Sequence, residues 1–110
     1  MNEYQITICK KKFRYKLGVG FFETFRINNG VTVFQIEEMT NKNLPIIFTC
    51  LYEAIEYYNL THKIESELSK EEIYDLIEFE YISNSNFIVS FFENIANSIS
   101  KIRNANICKN

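Results

Sequence analysis

Tryptophan is absent from this 110-residue chain, histidine and proline occur once each, and glycine occurs three times. So few turn-forming residues argue against a many-turned all-β sandwich and in favour of helices. The one histidine, His62, has no Cys or His at ligand spacing around it, and the cysteines form no CxxC pair, so the common structural zinc patterns are missing. Cys9, Cys50 and Cys108 are odd in number and far apart, as expected of thiols in a reducing cytosol. No apolar run approaches the roughly 20 residues a membrane span needs. The longest, Leu44 to Leu51, is interrupted by Pro45 and Thr49. The opening MNEYQITIC lacks the basic start and apolar stretch of a signal peptide, so a cytoplasmic location is expected. A formal net charge of −2 and a pI near 5.4 disfavour a dedicated nucleic-acid binder, which carries a basic stripe and a high pI.

What the chain does have is a full complement of core-forming residues. Hydrophobic residues make up 46%, charged residues 24%, and ten Phe and seven Tyr raise the aromatic share to 15%. A chain of this length buries roughly 65% of its unfolded surface, enough for a self-sufficient core. Residues 1–102 are expected to form a single globular domain and residues 103–110 a frayed C-terminal tail.

The alternation in Tyr4–Cys9 and again in Phe13–Leu17, broken by Lys10, Lys11 and Lys12, predicts an antiparallel hairpin with Phe13, Tyr15 and Leu17 on one face. The turn type stays open, because no Asn-Gly or Asp-Gly pair is present. Gly18 and Gly20 are expected to turn the chain into a short helix, Phe21–Ile27, with Phe21, Phe22 and Phe25 on one face and Asn28-Asn29-Gly30 as its stop. Residues 31–39 carry mixed strand and helix signals, with a helix favoured from about Phe34. The next helix is the clearest. Asn43 is a suitable cap, Pro45 sits in the first turn where its missing N–H costs nothing, and Leu44, Ile47, Phe48, Leu51, Ile55 and Tyr58 form a stripe ending at Asn59. Ser69-Lys70-Glu71-Glu72 reads as a capping box opening a helix with Ile73, Leu76, Ile77 and Tyr81 inward. After the polar Ser83–Asn86 break, Ser85 or Asn86 is expected to cap a last helix with Phe87, Ile88, Phe91, Phe92, Ile95, Ile99 and Ile102 as its stripe. The fold class is α+β, mostly α: a hairpin followed by a bundle of four to five helices.

Catalytic chemistry finds little purchase in this pattern. Cys50 lies mid-helix and His62 in a polar connector, where an active thiol would need an electropositive, partly exposed setting. The carboxylates at Glu37-Glu38, Glu65, Glu67 and from Glu71 to Glu80 fall mostly on helix faces and first turns. Gly18-Val19-Gly20 lacks the third glycine and the Lys-Ser/Thr of a phosphate loop. The expectation is no enzyme, no cofactor and no metal. The basic hairpin, with Phe13 and Tyr15 between Lys10, Lys11, Lys12, Arg14 and Lys16, has the composition of a single-strand binder, but also that of a solvated tip whose charges protect a strand edge. Seven tyrosines exceed what one small core holds easily, so some should serve a protein interface.

The order of elements resembles the small tail assembly chaperones of long-tailed phages and prophages. The resemblance is carried by the hairpin YQITICKKKFRYKLG running into the short helix VGFFETF, by the mid-chain helix NLPIIFTCLYEAIEYY, by the capped helix LSKEEIYDLIEFE, and by an apolar C-terminal helix. It covers most of residues 4–102, with more aromatic residues and asparagines than that family's pattern. It implies a non-enzymatic protein of the bacterial host cytoplasm that binds the helical tape-measure protein, and tail-tube subunits as a further client, with a homo-oligomer also compatible. It brings no catalytic residues with it. Residues flanking the core stripes, Phe22, Tyr52, Tyr57, Tyr74 and Phe92, are the candidate partner-binding set. Replacing Tyr52 and Tyr57 by Ser is expected to weaken client binding without unfolding the chain. Another small structural or head–tail joining protein, and a small regulator of a host protein or nucleic acid, are the alternatives.

Overall fold

A computed structural model describes residues 2–38 and 44–108. Two strands, β1 (Glu3–Ile8) and β2 (Lys11–Lys16), pair antiparallel, with Tyr4 opposite Tyr15 and Ile6 opposite Phe13. Five helices follow: α1 (Val19–Asn29), α2 (Val33–Glu38), α3 (Leu44–Thr61), α4 (Lys70–Ser83) and α5 (Phe87–Cys108). The class is α+β, mostly α, with the hairpin first. No helix among the described residues is long and apolar enough to cross a membrane.

The hairpin turn consists of Cys9 and Lys10, both with positive φ (+51° and +66°), as a two-residue type I′ turn requires. Neither residue is the Gly, Asn or Asp usual there. The Cys9 N–H donates to Glu80 Oε1 on α4 at 2.6 Å, and its Sγ lies 3.4 Å from the Leu76 carbonyl. A tertiary contact therefore holds a conformation that the local sequence does not favour.

The helix ends follow capping rules. Gly18, at φ +122°, precedes α1, and Gly30, at φ +69°, closes it by donating to the Arg26 carbonyl. Gly20 lies inside α1 and is not part of the bend. Thr32 and Gln35 exchange bonds of 2.9 and 3.3 Å across the start of α2, a capping box that starts the helix at Val33, one residue before the expected Phe34. The expected cap at Asn43, and Met39 at the end of the ambiguous stretch, lie outside the described residues. Helix α3 runs past Asn59 to Thr61. Ile64 donates to the Asn59 carbonyl and Lys63, at φ +56°, to that of Leu60, which is a Schellman closure with lysine in the left-handed position. The Ser69–Glu72 capping box is formed in both directions. Helix α5 is entered through backbone bonds from Ile88 to the Ser85 carbonyl and from Val89 to the Asn86 carbonyl. It continues beyond residue 102 to Cys108, because no Gly or Pro interrupts residues 103–108.

The core gathers Ile6, Ile8, Tyr15 and Leu17 from the hairpin, the α1 phenylalanines, Ile36, the inner face of α3, Ile73 and Ile77, and Ile88, Phe91, Ile95 and Ile99 from α5. Tyr15 is its polar hinge: its ring packs edge-on to Phe91 at 5.2 Å and its hydroxyl accepts from Asn94 Nδ2 at 2.7 Å. On α3 the buried face is Ile47, Cys50, Leu51, Ala54 and Ile55, turned toward Cys50 and Ala54 from the expected stripe. Small side chains there let the helix approach β2, against which it packs. Tyr58, expected inward, is half-buried and stacks with His62 at 4.2 Å.

Candidate functional site

Helices α3 and α4 meet along a seam whose outer side is aromatic. Tyr52 and Tyr74 stack there with ring centroids 5.1 Å apart and an interplanar angle of 27°. Both are half-buried. The Lys70 ammonium lies 5.6 Å from the Tyr52 centroid and 5.9 Å from that of Tyr74, within cation–π range of both rings. The capping box explains the position of Lys70, since Ser69 and Glu72 fix the first turn of α4 on which it stands.

A hollow opens on each side of the stack. The first, about 350 Å³, is lined by Tyr52, Glu53, Glu56, Tyr57 and Leu60 of α3, by Thr24, Asn28 and Asn29 of α1, and by Lys70. The spacing of Glu53, Glu56, Tyr57 and Leu60 is that of one helix face. Asn28 and Asn29 donate to the two Glu53 carboxylate oxygens at 3.0 and 2.8 Å. Burial, and next the charge of Glu56, raise the Tyr52 phenol above its ordinary pKa, so it stays neutral and able to donate. The second hollow, about 450 Å³, is bounded by Pro45, Phe48, Thr49, Tyr74 and Glu78.

Of the five candidate residues, Tyr52, Tyr57 and Tyr74 are brought to this region. Tyr57 lines the first hollow and leans on Phe21, 5.9 Å away between centroids. Phe22 is not a surface residue: it is 4% exposed, because one step along a helix from Phe21 it shares the same inward arc. Phe92, on α5, packs partly buried against the core and lines neither hollow. Sequence reasoning missed Lys70, Glu53 and Glu56. The i, i+3 spacing of the two glutamates was visible, but their convergence with Asn28 and Asn29 depends on how α1 packs on α3.

Other chemistry-bearing residues lie elsewhere. Cys50 is fully buried, which raises its thiol pKa far above the ordinary value, whereas exposed His62 places Nε2 2.7 Å from Glu3 Oε2. Lys11, Lys12 and Arg14 of the hairpin share a hollow of about 600 Å³ with Glu65 and Glu67, so that surface is mixed in charge. Among the described residues no group of three or more His, Cys, Asp or Glu is arranged to hold a metal ion.

No protein-family model matches the chain, and no curated protein or solved structure matches it.

Proposed function

We propose that this protein is a non-enzymatic binding protein of the tail assembly chaperone type, which shields a helical client along the α3–α4 seam. The client expected from the resemblance is a tape-measure protein, with tail-tube subunits as further partners. The observation that carries the proposal is the half-buried Tyr52–Tyr74 stack with an open hollow on each side. Tyrosine offers a large, stiff, amphipathic contact surface, and its enrichment at interfaces follows from that. Two adjacent hollows divided by a tyrosine pair suit side chains one turn apart on a helix, the i, i+3/i+4 anchors of helix-in-groove recognition.

The test is co-expression with the longest helical protein encoded immediately downstream, followed by solubility and pull-down measurements. The expected result is a client soluble only in the presence of this chain and co-purifying with it, with capture lost in the Tyr52→Ser/Tyr74→Ser double variant whose circular dichroism is unchanged. A client indifferent to this chain, or captured equally by the folded double variant, would overturn the proposal.

A further inference from the structure

The first hollow holds two carboxylates paired only with neutral groups, Glu56 with the Tyr52 hydroxyl. Glu53 accepts from two neutral amides, Asn28 and Asn29. Among the described residues no cation lies within ion-pair distance of Glu53 or Glu56. Among the described residues lining the hollow the one cation is Lys70, which lies over the Tyr52 and Tyr74 rings. Two carboxylates thus face an aromatic wall that already holds a positive charge. Leu60, 68% exposed, closes the far end one helical turn beyond Tyr57.

From this arrangement we infer that the hollow between α1 and α3 is a receptor for an arginine side chain presented by the partner helix. The guanidinium stacks on the Tyr52 face and donates to Glu56 and to the outer lone pairs of Glu53, and an apolar neighbour one turn along the partner covers Leu60. Arginine fits better than lysine, because a planar, weakly hydrated guanidinium can lie on a ring and donate to a carboxylate at once. The volume of about 350 Å³ is ample for one such side chain. Lys70 is then a competitor that withdraws from the Tyr52 ring when the partner's cation arrives. The inference rests on the client-binding proposal for the source of the arginine, but the hollow can be tested without any client.

The experiment is a titration of the full chain with N-acetyl-arginine N-methylamide, followed by amide and tyrosine-ring NMR shifts, with the norleucine and glutamate analogues as controls. Saturable shifts at Tyr52, Glu53, Glu56 and Tyr57 with the arginine compound alone are expected. Glu56→Gln, which keeps size and removes charge, should weaken the response several-fold, as should added salt. Lys70→Gln should strengthen it, because a competing cation is gone. Shifts scattered over other carboxylates, an equal response to norleucine, or indifference to both Glu56→Gln and Lys70→Gln would overturn the inference. Client capture without any arginine response would also overturn it and leave the client proposal standing. An arginine response from a chain that captures no client would support the receptor and sink the client proposal.

Discussion

The Cys9 amide and the Glu80 carboxylate, 71 residues apart in sequence, meet at 2.6 Å. This bond ties the tip of the first element to the last turn of α4. Truncating Glu80 to Ala leaves a part-buried amide unpaired beside a turn already at positive φ. A charge-assisted bond of this kind contributes about 1.5–3 kcal/mol, and urea unfolding of Glu80→Ala should show a loss in that range. Lys10→Gly should act in the opposite direction. It releases the left-handed cost of about 1–2 kcal/mol, offset by the roughly 0.5–1 kcal/mol of extra chain entropy glycine loses on folding, for a small net gain in the same assay.

The capping box on α4 predicts a pH dependence. The Ser69 N–H and hydroxyl hold the Glu72 carboxyl below its usual range. A depressed acid stabilises the fold above its unfolded value of about 4.3, and that contribution disappears as pH falls through the folded pKa. Ser69→Ala should cost about 1 kcal/mol near neutrality, whereas Glu72→Ala removes the titrating partner of the Ser69 N–H, and its difference from the parent should narrow in acid. Thermal melts from pH 7 down to 3 would check this.

Tyr15 behaves oppositely at the alkaline end. Burial raises its phenol to about 12, with the Asn94 bond pulling weakly the other way. A raised acid favours the fold below the unfolded value near 10, and this is lost as pH rises through about 12. Alkaline unfolding monitored by phenolate absorbance should begin later in Tyr15→Phe than in the parent, although the variant loses the Asn94 bond at neutral pH.

Ser98 is 2% exposed, and among the described residues its hydroxyl has no hydrogen-bond partner. Ser98→Ala removes an unsatisfied buried group and improves helix propensity, so a gain of about 1 kcal/mol is expected by denaturant melting.

Gly20 lies where any added methyl would collide with the Tyr57 hydroxyl. Gly20→Ala gains helix propensity of about 1 kcal/mol and must displace the Tyr57 ring. Stability should change little while the first hollow is reshaped. Altered Tyr57 ring shifts and weaker client capture, with a melting temperature near that of the parent, are the expected outcome.

The parts of this fold that are legible in sequence are those where local chemistry and packing agree. The hairpin alternation, Pro45 in the first turn of α3, the Asn28-Asn29-Gly30 stop and the Ser69–Glu72 box each mark an element that the structure contains. The type I′ turn was not legible, because Cys9-Lys10 adopts it under the pull of Glu80. The rotation of α3 toward Cys50 and Ala54 was hidden because side-chain size, more than hydrophobicity, decides how closely a helix approaches a strand. For the candidate site, excess tyrosine pointed to Tyr52, Tyr57 and Tyr74. It could not separate them from Phe22, since a helical wheel places a residue on an arc without saying how wide the buried arc is.

Lys70 is the first residue of α4, where the aligned peptide dipoles present a partial positive charge that repels a cation. Glu71 and Glu72 in the same turn soften that field, and the tyrosine rings supply the remaining attraction. Among the described residues no carboxylate lies within ion-pair distance of its ammonium, so the side chain is caught between a repulsive helix end and a diffuse π-surface. A second cation approaching the Tyr52 ring would therefore meet a rival held by π-attraction alone, an occupant and not an empty face.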